Sequence, residues 1–397
     1  MMRSPSREAL TVHNDTDVGW CAATPPNETV DAEGNASIEA MGFSASDPGV
    51  PSVRAHDHPE VNALREHLRT HNGIRGLEIC APDEIPRIVD IFRRDGFVVV
   101  RDLLNPDELD TFRAGCTRVL NDILQIPGIG ERTYLTESFR LPHRYSYGTA
   151  SASRQLLHDP VWAAAIDLPT TTPILEAIFG ANDYQLIGSG GDVCLPGAIE
   201  YQVLHTDFPD NAAISDARIE RGRALGIDVR TTNDGQMNPL SMQKLLAWTP
   251  PIVTINFCMS DLTWENGPIR HIPGTHTMPF RAPGQPDEPP WMRLSTLVGA
   301  PAGAGVFRDS RAWHGATPNV SRQIRALPNA EYAAPWVEDE VQFEQTMPYE
   351  IWEGLSDHGK RIARRVVAPE GTWPAGAGEM HPLASLREAI KTPAPKG

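Results

Sequence analysis

The chain has 397 residues, 40% of them hydrophobic and 22% charged, a composition typical of a globular protein with a sizeable buried core. Its formal net charge of −16 comes without a basic cluster that could neutralise a run of phosphates, which argues against nucleic acid as a partner. The sequence also lacks an apolar stretch long enough to cross a membrane and the apolar core of a signal peptide, so we expect neither membrane insertion nor secretion.

The N-terminal part of the sequence divides into a polar segment and a helical segment. Residues 1–50 are rich in Ser, Thr, Asn and Asp and have no helical or strand periodicity, which predicts a flexible tail. Residues 51–81 are predicted to form a helical arm, because Val61, Leu64 and Leu68 share one face of a helix. Such an apolar stripe favours docking of the arm on the main domain.

The main domain is predicted to span residues 82–340 and to open with a helix, a strand and a second helix. An apolar helical face ends at Gly96, and a short buried strand follows over residues 97–100. Asn105 is a suitable N-cap for the second helix, with Pro and Glu at the positions of a capping box. A further helical stretch covers residues 160–179.

Short β-rich segments separated by turn residues dominate the rest of this domain. They cover residues 183–188, 198–204, 252–260, 268–272, 303–308 and 324–332. Strands this short, with few helices between them, favour an antiparallel sandwich or barrel over a doubly wound parallel sheet. Residues 208–247 interrupt the strands as a partly helical insertion, and residues 341–397 are predicted to be a helical extension and tail.

The cysteines give information about the cellular compartment. Five of them are scattered along the chain without a CxxC pair: Cys21, Cys80, Cys116, Cys194 and Cys258. An odd and widely spaced set favours reduced thiols over a disulfide framework, so we expect a cytoplasmic protein.

His205 and Asp207 carry the clearest chemical signal in the sequence. They lie two residues apart at the end of a predicted strand, so their side chains point to the same face. A further histidine would complete the set of two histidines and one carboxylate that binds Fe(II) and leaves adjacent positions open. The triplet alone is weak evidence, because short motifs often arise by chance.

His314 is the histidine favoured for the third position. Arg325 follows eleven residues later on the next predicted strand, and this spacing permits a hairpin that brings the guanidinium beside the metal. There its two parallel N–H donors match the distal carboxylate of a dicarboxylic acid. His271 and His276 compete for the same position, but Asp287 lies eleven residues beyond His276 and would repel that carboxylate.

Four segments together resemble the phytanoyl-CoA dioxygenase family of Fe(II)/2-oxoglutarate enzymes, over most of residues 85–335. They are RRDGFVVVRDLLNPDEL, the HTD triplet, ENGPIRHIPGTH and WHGATPNVSRQIR, in the order that the family has them. The resemblance implies a mainly β fold with flanking helices, namely a cupin-like double-stranded β-helix or jelly roll. It also implies Fe(II) as cofactor, with 2-oxoglutarate and O₂ as cosubstrates.

The resemblance also implies roles for individual residues. By position, His205, Asp207 and His314 are the iron ligands and hence the catalytic centre, and Arg325 binds the carboxylate of 2-oxoglutarate. Arg322 competes with Arg325 but lies outside the predicted strand, where exposure to solvent is the usual situation for an arginine.

The sequence departs from the family pattern in two places. Many relatives have Ser or Thr two residues after the distal histidine, whereas this chain has Ala316 followed by Thr317, so Thr317 is expected to contact the cosubstrate. The insertion at 208–247 lengthens the interval between the two ligand histidines, and we expect it to shape the substrate pocket.

Several other polar residues have open roles. Arg140, His143 and Arg144 form a basic cluster that either meets an anionic substrate group or, as we favour, belongs to a solvated loop. Three residues on strands that lead to the HTD triplet could contact cosubstrate or substrate: Gln185, Ser189 and Gln202.

The expected function is therefore that of a dioxygenase that hydroxylates a small organic molecule and releases succinate and CO₂. Asp207 argues against a halogenase, which needs a small residue at that position, while desaturation and ring closure stay open. The breadth of the family favours a substrate from secondary metabolism, and the oligomeric state is open. Two alternatives are a non-catalytic jelly roll that binds a metal or small molecule, and a cupin-type oxygenase that uses no cosubstrate.

Overall fold

A computed structural model describes residues 54–69, 77–124, 143–147, 156–158, 160–208, 215–279, 281–283, 288, 291–294, 297–337, 341, 343–372 and 374. The predicted tail at residues 1–50 lies outside these ranges. The strands are β1 Ile79–Cys80, β2 Phe97–Val100, β3 Arg144–Ser146, β4 Gln185–Cys194, β5 Ile252–Phe257, β6 Ile269–His271, β7 Gly305–Asp309, β8 His314–Ala316 and β9 Arg325–Ala333.

Helices precede, interrupt and follow these strands. The α-helices are α1 Pro59–Leu68, α2 Ile85–Asp95, α3 Pro106–Leu124, α4 Pro160–Ala164, α5 Thr172–Phe179, α6 Asp216–Ala224, α7 Pro239–Trp248, α8 Trp291–Leu294, α9 Tyr349–Glu353 and α10 Asp357–Ile362. Short 3₁₀ helices cover Leu156–His158, Ala165–Asp167, Thr275–Thr277 and Pro335–Val337. Among the helices of the described ranges, none has the length and apolar character needed to cross a bilayer.

The major sheet has seven strands in the order β1-β2-β7-β5-β9-β4-β3, antiparallel except for the β1–β2 pair. Side chains alternate between its two faces, as the pleat of a strand requires. On β5, Ile255 and Phe257 pack into the largest hydrophobic cluster, whereas Asn256 between them borders a cavity. One face of the sheet therefore packs in the main apolar cluster, and the other borders the cavity and a second apolar cluster that includes Phe97, Val99 and Val306.

The main hydrophobic core lies between the major sheet and the helices that cover it. Helix α2 contributes Phe92, α3 contributes Phe112 and α5 contributes Phe179, and all three are buried with Phe257 of the sheet. Helix α2 ends at Gly96, whose φ of 81° is the left-handed conformation expected at a helix C-terminus. These helices hold the major sheet in place and leave its other face for the site.

The minor sheet pairs β6 with β8. Isolated bridges extend it, joining His205 to His314 on one side and Arg270 to Leu297 on the other. The predicted strand at 198–204 is an extended segment that joins the sheet by single bridges rather than by a continuous ladder. The major and minor sheets together form the expected jelly roll with flanking helices, so this prediction of the fold class is confirmed.

The predicted hairpin between His314 and Arg325 was wrong. His314 begins β8, which pairs with β6, whereas Arg325 begins β9, which pairs with β4 and β5 in the other sheet. The ten residues between them cross from one sheet to the other instead of turning back on one sheet. Both side chains line one cavity, because the two sheets border it from different sides.

Helix α1 docks on the main body as the arm was predicted to do. Its buried residues Val61, Leu64 and Leu68 form a small core with Tyr201 and Trp264, next to the minor sheet. The predicted stop of this helix at residues 72–73 lies outside the described ranges. The division of the chain into arm, domain and extension stays a prediction.

The insertion at 208–247 carries α6 and α7, which anchor to the outside of the domain. Arg218 of α6 is buried and donates to the carbonyl of Thr249 at 2.8 Å, and Arg221 donates to the carbonyl of Gly180 at 2.6 Å. Of the described residues of the insertion, only Phe208 borders a cavity near the site. The helical extension after residue 341 contains α9 and α10.

The cysteines within the described ranges agree with the expected reduced state. Cys80, Cys116, Cys194 and Cys258 are buried and free. Burial raises the pKa of the Cys116 and Cys258 thiols to about 12, so these two are packing residues rather than nucleophiles. Cys21 lies outside the described ranges.

Candidate metal centre and active site

His205 and His314 face each other across two neighbouring chain segments. Each donates its backbone N–H to the other's carbonyl at 3.1 Å, which makes them a hydrogen-bonded antiparallel pair with both side chains on one face. Their ring centroids are 4.3 Å apart. Gly315 permits this approach, because a Cβ there would lie 2.8 Å from the carbonyl oxygen of Gln202.

Asp207 joins the two histidines from the same segment as His205. Its backbone N–H donates to the carbonyl of Ser310 at 2.9 Å, which fixes the segment against the loop after β7. Its Oδ1 lies 3.4 Å from Nε2 of His205 and 3.4 Å from Nε2 of His314. One ligand atom from each residue lies within 4.8 Å of the others, and among the described residues this is the group able to hold a metal ion. We call these three residues the triad.

Both imidazoles present Nε2 to the centre of the triad. Nδ1 of His205 lies 2.9 Å from the carbonyl of Val203, and Nδ1 of His314 lies 3.0 Å from the carbonyl of Ala312. A carbonyl only accepts, so Nδ1 carries the proton and the Nε2 lone pair is available to a metal. Burial lowers the pKa of His314 to about 4 and the charge of Arg308 adds to this effect, so the ring is neutral at pH 7.

Arg308 of β7 binds the outer oxygen of the Asp207 carboxylate. Its Nη1 donates to Oδ2 of Asp207 and lies 3.3 Å from Nδ1 of His314. Desolvation opposes ionisation of Asp207, but the charge of Arg308 outweighs this cost and holds the pKa of Asp207 well below the usual range. The carboxylate is therefore ionised, with one oxygen held by the guanidinium and the other turned to the imidazoles.

A cavity of about 440 Å³ opens beside the triad, and all three triad residues line it. Arg325, the first residue of β9, lines it too and is only 1% exposed. Its Nη1 donates to the carbonyl of Asp192 at 3.3 Å. Arg322, the competing arginine, is exposed to solvent. The structure thus brings the triad and Arg325 to one cavity and leaves Arg322 outside it.

Thr317 is not brought to this cavity. Its side chain is fully buried, and its hydroxyl donates to the carbonyl of Pro268. Ala316, which precedes it, lines the cavity instead. The hydroxyl expected to assist Arg325 therefore has a structural partner and does not face the position where a cosubstrate would bind.

The three polar residues with open roles divide between the cavity and the core. Gln202 and Ser189 line the cavity. Gln185 does not, because its amide donates to the carbonyls of Asp183 and Tyr184 at 3.0 and 2.9 Å.

The competing histidines, His271 and His276, do not belong to the triad. His271 pairs with His314 in the minor sheet, and its ring stacks on Phe97 with centroids 4.6 Å apart. Burial holds the pKa of His271 well below its usual value, so it packs as a neutral ring. His276 packs against Gly96, where an added Cβ would lie 2.6 Å from its Nδ1.

The expectation of a solvated basic loop at residues 140–144 was wrong. His143 and Arg144 are buried, although Arg140 lies outside the described ranges. Nε2 of His143 accepts from the backbone N–H of Arg54 at 2.8 Å, and Arg144 donates to the carbonyl of Glu200 at 2.9 Å. These residues tie the N-terminal segment to the domain and do not line the cavity.

Sequence reasoning missed four charged residues of the cavity lining: Asp192, Arg308, Glu331 and Glu344. Two of these, Arg308 and Glu331, also lie near Asp207. Both lie on the cavity face of the major sheet, and both line the cavity. Each is a charged residue within a predicted strand, and this signal could have drawn attention to them. Their position beside the triad depends on strand register, which the sequence does not reveal.

A jelly roll that presents two histidines and one carboxylate to a cavity, with an arginine on the same cavity, defines the class of mononuclear non-haem iron oxygenases. The family model described as phytanoyl-CoA dioxygenase (PhyH) matches residues 92–327, more than half of the chain. The chain belongs to this family. It is an Fe(II)- and 2-oxoglutarate-dependent oxygenase, and its further cosubstrate is O₂.

Solved structures of similar fold include three oxygenase-related proteins. The non-heme alpha ketoglutarate dependent epimerase SnoN from nogalamycin biosynthesis is 18% identical, with a TM-score of 0.41 over 64% of this chain and 82% of that one. The carbocyclase SnoK from the same biosynthesis is 17% identical, with a TM-score of 0.41 over 64% and 85%. EctD from S. alaskensis, solved with 2-oxoglutarate and 5-hydroxyectoine, is 16% identical, with a TM-score of 0.44 over 73% and 86%. Among curated proteins, none matches significantly.

Proposed function

We propose that this oxygenase hydroxylates a small organic molecule, with the triad His205, Asp207 and His314 as the iron ligands and Arg325 as the residue that binds 2-oxoglutarate. The observation that carries this proposal is the convergence of two Nε2 atoms and one carboxylate oxygen within 4.8 Å, on a cavity that Arg325 also lines. The reaction releases succinate and CO₂. The substrate is expected to come from secondary metabolism.

The donor set suits ferrous iron. Two neutral imidazoles and one carboxylate are the ligands of a facial triad, which leaves adjacent positions for cosubstrate and O₂. Both imidazoles have Nδ1 bonded to a backbone carbonyl, and the carboxylate has its second oxygen bonded to Arg308. Such outer contacts fix the orientation of metal ligands and are typical of real metal sites.

When bound, iron and 2-oxoglutarate together supply the oxidation of a C–H bond by O₂. The chain contributes binding and orientation. Arg325 presents a fork of N–H donors to the distal carboxylate of 2-oxoglutarate, and the walls of the cavity exclude bulk water. Asp207 keeps its negative charge because Arg308 neutralises its environment. The residues thus act by position and charge rather than by proton transfer.

The test is succinate formation from 2-oxoglutarate under Fe(II) and O₂, compared between the wild type and His314→Ala. We expect the variant to lose Fe(II) binding, because one imidazole of three ligands is gone, and to lose 2-oxoglutarate-dependent succinate formation. Binding of Fe(II) is measured separately under exclusion of O₂, so that loss of metal and loss of turnover are both observed.

His276→Asn is the matched control, since this buried histidine lies outside the triad. We expect it to keep Fe(II) binding and succinate formation. Equal succinate in the wild type and His314→Ala would contradict the proposal and favour a non-catalytic jelly roll. Loss of Fe(II) binding in His276→Asn alone would assign the third ligand to His276.

A further inference from the structure

Strand β9 carries a row of side chains from one end of the cavity to the other. Arg325, Leu327, Asn329 and Glu331 alternate with core residues, and all four line the cavity. At about 3.3 Å per residue, Arg325 and Glu331 begin roughly 20 Å apart along the strand. A cosubstrate bound by Arg325 therefore leaves the Glu331 end of the cavity for another molecule.

A second cavity, of about 210 Å³, adjoins this end. It shares Ile187, Asp207 and Glu331 with the larger cavity, so the two spaces meet beside the triad. Its remaining walls are mostly apolar, and they include Phe208, Ile252 and Val341. A molecule that reaches the triad from this side meets an apolar surface with Glu331 on its edge.

The register of the major sheet fixes what surrounds Glu331. Thr254 pairs with Arg308 on one side and with Glu331 on the other, and Glu331 pairs with Gly188 of β4. Gly188 lines the larger cavity, and an added Cβ there would have no atom within 4 Å. Glu331 thus has Thr254 as its neighbour on one strand and the open space beside Gly188 on the other. Arg308 is two strands away and already binds Asp207.

Buried polar atoms around Glu331 have hydrogen-bonding capacity that no described residue uses. Oγ1 of Thr254, Oδ1 of Asn256 and Oδ1 of Asn329 have no partner within the described part of the chain, and Thr254 and Asn256 are 1% and 6% exposed. Nδ2 of Asn329 lies 3.4 Å from Oε1 of Glu331, which turns Oδ1 of that amide away from the carboxylate. Two amide oxygens and a carboxylate can only accept hydrogen bonds, so a ligand that donates hydrogen bonds is complementary to them.

The net charge of the cavity lining also favours a ligand that carries a positive charge. Its lining contains four carboxylates and two guanidinium groups. Ferrous iron and 2-oxoglutarate bring opposite charges of equal size, so their binding leaves the excess of negative charge unchanged. Arg308 and Arg325 are committed to Asp207 and, under the proposed function, to the cosubstrate. Neither of the two arginines of the cavity lining therefore serves as the counterion of Glu331.

We propose that the substrate is an amine with an apolar body, whose ammonium group binds Glu331 and Asn329 while the apolar part occupies the smaller cavity. This inference rests on the proposed function, because it takes the Arg325 end of the cavity as the site of 2-oxoglutarate. A charge-assisted contact with an ammonium group would both neutralise the carboxylate and use the amide oxygen beside it. Glu331 is then a residue that determines specificity.

The test uses three probes of one shape and different charge: benzylamine, benzyl alcohol and benzoate. Calorimetry measures their Kd for the full-length protein loaded with Fe(II) and 2-oxoglutarate in the absence of O₂. The pH is 8, because burial of Glu331 and the charge of Asp207 raise the pKa of the Glu331 carboxyl to about 7. We expect benzylamine to bind about tenfold or more tightly than benzyl alcohol, with benzoate the weakest.

Variants separate the local contact from the overall charge. Glu331→Gln, which is nearly isosteric, is expected to abolish the preference for the amine, and Glu331→Asp is expected to keep part of it. Glu353→Gln makes the same change of charge at an exposed position of α9 and is expected to leave the preference intact. An amine that binds no better than the alcohol, or a preference that survives Glu331→Gln, would overturn the inference.

Binding of Fe(II) and 2-oxoglutarate distinguishes this inference from the proposed function. The affinity for 2-oxoglutarate should be equal in the wild type and in Glu331→Gln, since Arg325 lies at the other end of β9. A wild type that binds neither overturns both proposals. A wild type that binds both but shows no preference for the amine overturns only the assignment of the substrate class.

Discussion

The guanidinium of Arg308 binds Oδ2 of Asp207, while Oδ1 of the same carboxylate lies 3.4 Å from Nε2 of His205 and of His314. The two oxygens of one carboxylate are thus divided between a permanent cation and the proposed metal position. This division orients the carboxylate and keeps it ionised. Arg308 is therefore a positioning residue, which acts on iron through Asp207.

Arg308→Gln should weaken Fe(II) binding without removing a ligand. Loss of the charge frees Oδ2 and lets the carboxylate rotate, and changes in such outer contacts cost about 10- to 100-fold in metal affinity. The measurement is the Fe(II) dissociation constant of the anaerobic protein. Arg230→Gln is the control, because this exposed arginine of the insertion forms an ion pair with Asp228. Equal Fe(II) affinity in wild type and Arg308→Gln would refute the positioning role.

Arg325→Gln should raise the apparent KM for 2-oxoglutarate by at least about tenfold, because hydrogen bonds to charged groups contribute about 1.5–3 kcal/mol. Its Fe(II) affinity should stay close to that of the wild type. Steady-state succinate formation at varied 2-oxoglutarate gives the KM. A KM that does not change would show that Arg325 does not bind 2-oxoglutarate.

Thr317→Val distinguishes two roles of this residue: the cosubstrate contact that the sequence predicts and the structural hydrogen bond that the structure shows. The hydroxyl of Thr317 donates to the carbonyl of Pro268, so we expect a KM for 2-oxoglutarate equal to that of the wild type. The lost hydrogen bond should instead lower stability by about 1 kcal/mol, seen as a lower Tm. A rise in KM comparable to that of Arg325→Gln would restore Thr317 as a cosubstrate contact.

Sequence reasoning found the residues whose relative positions depend on nearby positions in the chain. His205 and Asp207 share a face because they lie two apart in extended chain, and the alternation of β5 and β9 marks strands in any context. The predicted strands at residues 268–272 and 324–332 therefore nearly coincide with β6 and β9. The order of the segments that resemble the family then identified His314.

What the sequence could not provide depends on contacts between strands. Arg308 reaches Asp207 because β7, β5 and β9 align in one register, and no periodicity along a single strand encodes this alignment. The hairpin was wrong for the same reason, since an interval of eleven residues permits either a return within a sheet or a crossing to the other one. Ala316 lines the cavity and Thr317 does not, because one residue of offset reverses the face on which a side chain lies.

Two glycines of β4 should respond in opposite ways to substitution by alanine. At Gly188, an added Cβ meets no atom within 4 Å, and at Gly191, whose φ is 113°, it would lie 2.1 Å from the carbonyl oxygen of Leu327. We expect Gly188→Ala to keep the Tm of the wild type, and Gly191→Ala to lose at least about 2 kcal/mol of unfolding free energy. Thermal denaturation of both variants and the wild type measures the Tm values. Equal Tm values for the two would contradict the backbone geometry of this strand.

Stability should fall as the solution becomes acidic, because buried neutral histidines bind protons only after unfolding. Burial lowers the pKa of His143 to about 3, and the charges of Arg54 and Arg144 act in the same direction. Above pH 6.5 the ring is neutral in the folded and the unfolded chain, so its contribution is constant. Between pH 6.5 and 3 the unfolded chain alone takes up the proton, and stability falls by up to about 1.4 kcal/mol per pH unit for this group.

His143→Gln isolates the contribution of this one histidine from those of the other buried rings. The amide oxygen of glutamine can accept from the backbone N–H of Arg54 in place of Nε2, and it does not titrate. We therefore expect the Tm of metal-free wild type to fall more steeply than that of the variant from pH 6.5 to pH 4, with the two parallel above pH 7. Parallel curves across the whole range would mean that His143 is protonated in the folded protein, and that the contact with Arg54 is not the one described. Because chelation removes the metal from both proteins, a difference in slope cannot come from release of iron by the triad.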